Sequence, residues 1–210
     1  MGKIRDGGVC AICGASGKVT LEHVPPKSLF VKPRPEPLLI YTCAECNSGS
    51  STEDEELKAL IGATASMASP KGKDLKPSFV KTIKHNQKLL RKIVYSRKGA
   101  DYTDPNTGEE MIKMAWNMKV LHKLYIKMAR CLYFYTYKEI LPVGVTHDTP
   151  IHKATDELDN ALLPFMEVGS VGNEKEFKFG VTRAIEGDLF RYHCQMLLWD
   201  RIRLDVSGGN

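Results

Sequence analysis

Cys10-Ala-Ile-Cys13 and Cys43-Ala-Glu-Cys46 are two C-x2-C pairs with 29 residues between them. Two short knuckles closing one loop supply the four sulfurs that tetrahedral Zn²⁺ takes in a structural site. Inside the gap lies Glu22-His23-Val24-Pro25-Pro26-Lys27-Ser28, and Asn47 directly follows the last cysteine. One small loop therefore carries four thiols, a carboxylate, an imidazole and a side-chain amide, the residue types from which proton-transfer and oxygen-ligand sites are built.

These residues resemble the HNH (ββα-metal, His-Me finger) endonucleases, in particular the zinc-bearing branch that includes endonuclease VII. In that branch an acidic residue–His pair lies between two C-x2-C knuckles and an Asn follows the fourth cysteine. The matching residues are Glu22-His23, Cys10, Cys13, Cys43, Cys46 and Asn47. The motif covers about a quarter of the chain; a weaker likeness to bacterial HNH proteins extends through residues 50–56 and near Arg130-Cys131-Leu132-Tyr133. Glu22 stands where many members carry Asp, and Leu38-Leu39-Ile40 where many carry an Asn before the third cysteine. The resemblance implies a DNA endonuclease leaving 5′-phosphate and 3′-hydroxyl ends.

Phosphodiester hydrolysis needs an activated water on one side of phosphorus and charge stabilisation at the leaving oxygen on the other. His23 is the expected general base, because an imidazole with a reference pKa of about 6.5 accepts a proton near neutrality. Glu22 and Asn47 are the expected oxygen ligands of a single Mg²⁺ or Mn²⁺ acting as a Lewis acid. A four-cysteine shell leaves no open position, so zinc is expected to be structural. Successive strand side chains point to opposite faces, so Glu22 and His23 converge only if Pro25-Pro26 and strand twist redirect them. Plainer roles stay open: His23 hydrogen-bonding the knuckle, Asn47 capping a turn. The alternative function is a zinc module that binds nucleic acid without cutting it; a third is a protein-interaction module built on the helical half.

The remaining composition bounds the setting. A chain of 210 residues with 42% hydrophobic content can bury one respectable core and a small satellite. No run approaches the length of a membrane span, so no membrane partner is expected. The first eight residues lack the apolar core of a signal peptide, which points to a cytoplasmic, reducing setting where paired cysteines favour metal over disulfides. Cys131 and Cys194, in apolar company, are expected to be buried. Residues 71–98 hold ten Lys/Arg against one acid, a net +9 that exceeds the +5 of the whole chain. Lys27, Lys81, Lys84, Lys88, Arg91 and Lys92 are the candidate phosphate contacts on DNA, with RNA also open. A merely solvated helix face is the alternative. A homodimer would ease two cuts across a duplex.

The predicted fold is α+β. Residues 1–68 form a zinc-stabilised ββα-metal finger, and residues 69–210 a mainly helical region ending in an antiparallel hairpin or small sheet. Residues 1–8 are expected to be mobile, and Gly14 to take a positive φ in the first knuckle. Residues 18–24 and 38–42 read as strands, and a helix begins near Thr52 with Glu53 and Asp54 favouring its start. Residues 69–73 read as a break, followed by a basic helix over 78–96 with Val80, Ile83, Leu90, Ile93 and Val94 as its apolar stripe. A helix over 111–137 carries the line Leu121, Leu124, Met128 and Leu132. Residues 142–175 read as irregular, with a short helix over 155–163. The alternation of Phe190, Tyr192, Cys194, Met196 and Leu198, repeated at 202–206 and 177–181, gives two or three antiparallel strands.

Overall fold

The computed structural model describes residues 4–30, 34–48, 51–64, 70–96, 102–103, 108, 110–111, 118–149, 151–153, 166–172, 176–198 and 202–210. The chain opens with β1 (Ile4–Val9), β2 (Ser16–Val24), a single 3-10 turn (Lys27–Leu29) and β3 (Leu38–Cys43). Four helices follow: α1 (Ala44–Asn47), α2 (Ser51–Thr64), α3 (Pro70–His85) and α4 (Gln87–Ser96). Then come β4 (Tyr102–Thr103), β5 (Glu110–Met111) and the long α5 (Met118–Tyr137). The remaining strands are β6 (Thr146–Asp148), β7 (Ile151–Lys153), β8 (Glu167–Val171), β9 (Phe177–Glu186), β10 (Leu189–Leu198) and β11 (Ile202–Gly209).

The fold is mixed α+β, with antiparallel sheets at both ends of the chain. The N-terminal sheet has the order β1-β2-β3, with Glu22 opposite Ile40 and His23 opposite Leu39. The C-terminal sheet has the order β6-β11-β10-β9-β8, with β7 also on β11. The β9–β10 hairpin pairs Glu186 with Leu189, and Gly187 supplies the left-handed φ of +61° that so short a link requires. Along β10 the expected apolar face, Phe190 to Leu198, is buried. Near its end Gln195 and Leu197 are buried too, so both faces are covered there.

The apolar line of α5, Leu121, Leu124, Met128 and Leu132, is buried as its helical spacing predicts. It joins Ala11, Val24, Ile40 and Leu57 from the N-terminal elements to Phe177, Phe179, Tyr192, Cys194 and Met196 from the C-terminal sheet in one core cluster. Cys131 and Cys194 lie within it, as expected.

Several expectations are corrected. Residues 4–8 are not a loose tail: they belong to β1, paired with β2, because an extended chain can fill that ladder without an apolar pattern of its own. Of the predicted break at 69–73, residues 70–73 are instead the start of α3, and residue 69 lies outside the described residues. Pro70 is its first residue, a position where the missing N–H costs nothing. The predicted helix over 78–96 is two helices parted at Asn86, whose Oδ1 accepts from the Leu89 N–H and caps α4. In its apolar stripe Val80 and Val94 are 40% and 60% exposed, while Leu89 is buried instead. The predicted helix over 111–137 is shorter: α5 begins at Met118, and Met111 pairs with Tyr102 across β4–β5. Residues 142–175 are not wholly irregular, since β6, β7 and β8 complete a sheet larger than the two or three strands predicted. The short helix expected at 155–163 falls outside the described residues.

Candidate metal centre and the adjoining cleft

The first knuckle is a tight turn between β1 and β2. The Gly14 N–H donates to the Cys10 carbonyl at 2.9 Å, and Gly14 takes a φ of +77°, as its place after Cys13 predicts. The Ala11 N–H donates to the Tyr41 carbonyl at 3.0 Å, which fastens this knuckle to β3. Cys43 ends β3 and Cys46 lies one turn on in α1, so the second knuckle is a strand-to-helix corner. All four Sγ atoms lie within 4.8 Å of one another, with Cys13 and Cys43 sulfurs 3.8 Å apart.

That spacing decides between disulfide and metal. A disulfide needs about 2.05 Å, whereas a tetrahedral ion with Zn–S bonds of about 2.3 Å separates its sulfurs by about 3.8 Å. The donor set and its spacing therefore fit zinc. Burial pushes the Cys10 thiol up, but backbone hydrogen bonds from Cys43, Cys13 and Ile12 outweigh it and bring the thiol down to about 7. Burial and the neighbouring sulfurs push Cys46 the other way. Four sulfurs this close cannot all ionise without a cation among them.

On β2, Thr20, Glu22 and Val24 share one face, and Val19, Leu21 and His23 the other. Asn47 reaches the first face, its Nδ2 donating to Thr20 Oγ1 at 2.7 Å. Glu22 lies on that same face, buried, with its Oε2 3.0 Å from the Lys127 ammonium of α5. The Lys127 Nζ also donates to the Asn47 carbonyl at 3.4 Å. Glu22 and Asn47 are thus brought together. His23 is not brought to the same point: β2 runs through both residues to Val24 without a redirecting bend, leaving His23 half-buried on the opposite face. Burial and the Lys27 charge hold the His23 imidazole below its ordinary pKa, and so neutral at pH 7.

Glu53 and Asp54, expected only to favour the start of α2, also belong to this cluster. Glu53 Oε2 and Asp54 Oδ1 are buried with no hydrogen-bond partner among the described residues. Burial raises the Asp54 carboxyl to about 7, opposed by Lys127 and reinforced by Glu22, Glu53 and Glu55. Burial likewise raises Glu22, against the Lys127 attraction. Glu22 and Asp54 thus both feel the Lys127 ammonium.

No family model, curated protein or solved structure matches this chain. The site therefore has to be read from its own residues. Beside the sulfurs and the acids lies a cleft of about 380 Å³ lined in part by Cys46, Ser48, Glu53, Lys123, Lys127 and Arg130. Lys123, Lys127 and Arg130 follow i, i+4, i+7 spacing, a basic stripe on a mainly apolar helix. That stripe was the sequence signal for Lys127, which reasoning from the motif alone misses. Arg130 braces the site, donating to the Ile12 carbonyl at 3.2 Å and the Leu141 carbonyl at 3.1 Å. Of the expected phosphate contacts, Lys27, Lys81, Lys84, Lys88 and Arg91 are exposed; the Lys92 side chain lies outside the described residues. Among the described residues no helix is long and apolar enough to cross a membrane.

Proposed function

We propose that this protein is a zinc-stabilised, metal-dependent endonuclease of the HNH type that hydrolyses DNA phosphodiester bonds. One observation carries the reading: near the four sulfurs the buried Glu22 pairs with Lys127 and Asp54 lies in the field of the same ammonium, while Glu53 Oε2 and Asp54 Oδ1 are buried with no hydrogen-bond partner among the described residues. Buried carboxylates beside basic side chains are among the ingredients of metal-assisted phosphate chemistry.

Glu22, Asn47 and Asp54 would hold the divalent ion, Mg²⁺ or Mn²⁺, which when bound supplies Lewis-acid stabilisation of the leaving oxygen. His23, neutral at pH 7, takes the proton from the attacking water. Among the described residues β1 pairs with β2 only as far as Thr20. Asn47 follows the cysteine knuckle, and its amide donates to Thr20, which shares a strand face with Glu22. Lys123 and Lys127 lend positive charge to an incoming phosphate.

A second reading, a zinc module that binds nucleic acid without cutting it, is favoured by the Lys127–Glu22 ion pair, since the ammonium already neutralises the carboxylate. Supercoiled plasmid with added Mg²⁺ or Mn²⁺ separates the two. Nicking by wild type that is lost in His23→Ala and in Glu22→Gln, with DNA binding retained, supports the nuclease. Binding without nicking by wild type under either metal overturns it in favour of the binder.

A further inference from the structure

A second concave site lies away from the sulfurs, where the Lys27–Leu29 turn meets α2 and α3. It encloses about 520 Å³ and is lined by Ser28 from the turn, Glu55 and Lys58 from α2, and Lys81, Thr82 and His85 from α3. We propose that this cleft seats a backbone phosphate of the DNA substrate and anchors the strand that continues along α3 and α4. The inference rests on the reading of the protein as one that acts on DNA, but not on its cutting it.

The charges in the cleft do not balance. Its one carboxylate, Glu55, is engaged by the Asn86 side-chain amide. Lys58 is half-buried, and burial lowers its pKa, with the Arg34 and Lys81 charges acting the same way against the attraction of Glu55. A phosphate relieves that repulsion and accepts from both ammonium groups. Ser28 supplies the second, independent sign. Its hydroxyl is buried without a partner among the described residues, and it lines the cleft. A buried donor left unpaired is costly, and an anion's oxygen in the cleft satisfies it.

The helices extend the site into a track. Lys81, Lys84, Lys88 and Arg91 are exposed and recur at helical spacing of three, four and three residues. Two helices carry these charges: the Asn86 N–H donates to the Thr82 carbonyl at 3.0 Å at the end of α3, and the Leu90 N–H donates to the Asn86 carbonyl at 2.9 Å at the start of α4. Lys81, at the cleft, is the first of them. Point charges at this spacing follow a phosphodiester backbone without reading bases.

The test is fluorescence anisotropy of a short labelled DNA duplex on the zinc-loaded full chain, over a salt series and without added divalent ion. Lys58→Gln/Lys81→Gln is expected to weaken binding about tenfold or more and to flatten the log–log salt slope by about one to two. Lys18→Gln/Lys138→Gln, an equal charge change outside the cleft, is expected to leave the slope as in wild type. Ser28→Ala removes no charge and no hydrogen bond to the described residues, so it keeps the wild-type melting temperature while binding severalfold more weakly. Wild-type-like binding by the Lys58/Lys81 variant, an equal loss in the Lys18/Lys138 variant, or no salt-dependent binding by wild type each overturns the proposal. Because no cleavage is read, a chain that binds here and never cuts DNA sinks the nuclease reading while leaving this site standing.

Discussion

The sheets β1–β3 and β8–β11 both pack against α5, yet different physics holds each together. In β10 the run Cys194 to Leu198 is wholly buried, and Phe177, Phe179, Val181, Leu204 and Val206 pack around it. In β2 the buried positions are Val19, Glu22 and Val24, one of them a carboxylate. The larger sheet buries apolar area at about 25 cal/mol per Å², which suffices to order long strands. The smaller one closes with four thiols that repel one another until a cation joins them. The stability of the C-terminal part is spread over many side chains; the N-terminal part contributes fewer to the shared core and adds four cysteines that could hold one ion.

Removing that ion is the largest blow to the contrast. One tightly held zinc per chain is expected by elemental analysis, and Cys43→Ser or a strong chelator should abolish it. Structural zinc sites are worth about 10–16 kcal/mol. The β1–β3 unit should therefore unfold while amide-exchange protection in β9–β11 persists. Equal loss of protection in both sheets would erase the distinction drawn here.

The reciprocal experiment is Phe179→Ala. Its ring covers Gly169, where a Cβ would stand 2.5 Å from Cζ, so nothing can move in to fill the space without rearrangement. A cost of about 3–5 kcal/mol in denaturant unfolding is expected, with zinc content unchanged. Loss of zinc in that variant would show that the two sheets fold as one.

Lys127→Met probes the joint between them. Lys127 and Glu22 side chains are only 12% and 10% accessible, so removing the ammonium strands a carboxylate among other acids. Destabilisation of about 3 kcal/mol is expected, largely recovered by adding Glu22→Gln. Additivity of the two substitutions in a double-mutant cycle would contradict the pairing.

The smallest effect is a pH dependence confined to the C-terminal sheet. Burial works to raise the Asp205 carboxyl, but hydrogen bonds from His193 and Arg203 outweigh it and hold it below the usual range. A depressed folded pKa means stability that is present above the unfolded value of about 3.9 and lost as pH falls through the lower folded one. Asp205→Asn should therefore be less stable than wild type at neutral pH and converge on it below about pH 4. A constant gap between the two across that range would remove Asp205 from the acid limb.

The sulfur cluster was legible because C-x2-C spacing leaves few alternatives, and the burial of α5 because its apolar line repeats at helical period. The Glu22–Asn47 convergence was legible only through the resemblance. Lys127 was hidden because its partner lies 105 positions upstream and no local pattern encodes that pairing. Glu53 and Asp54 were read as dipole chemistry, which they also serve, since a helix start and a buried acid cluster demand the same residues. The extent of the C-terminal sheet was obscured because β6 and β7 are three residues each, too short to alternate visibly. Val80 and Val94 misled because a stripe with gaps fits more than one helical face.

The most direct test of the central claim is anomalous diffraction from crystals of the zinc-loaded chain grown with Mn²⁺. Two peaks are expected, a zinc peak equidistant from the Sγ atoms of Cys10, Cys13, Cys43 and Cys46, and a manganese peak coordinated by Glu22 with the Lys127 ammonium moved aside. Zinc among the sulfurs with no manganese at Glu22, and Lys127 still paired to it, would contradict the account.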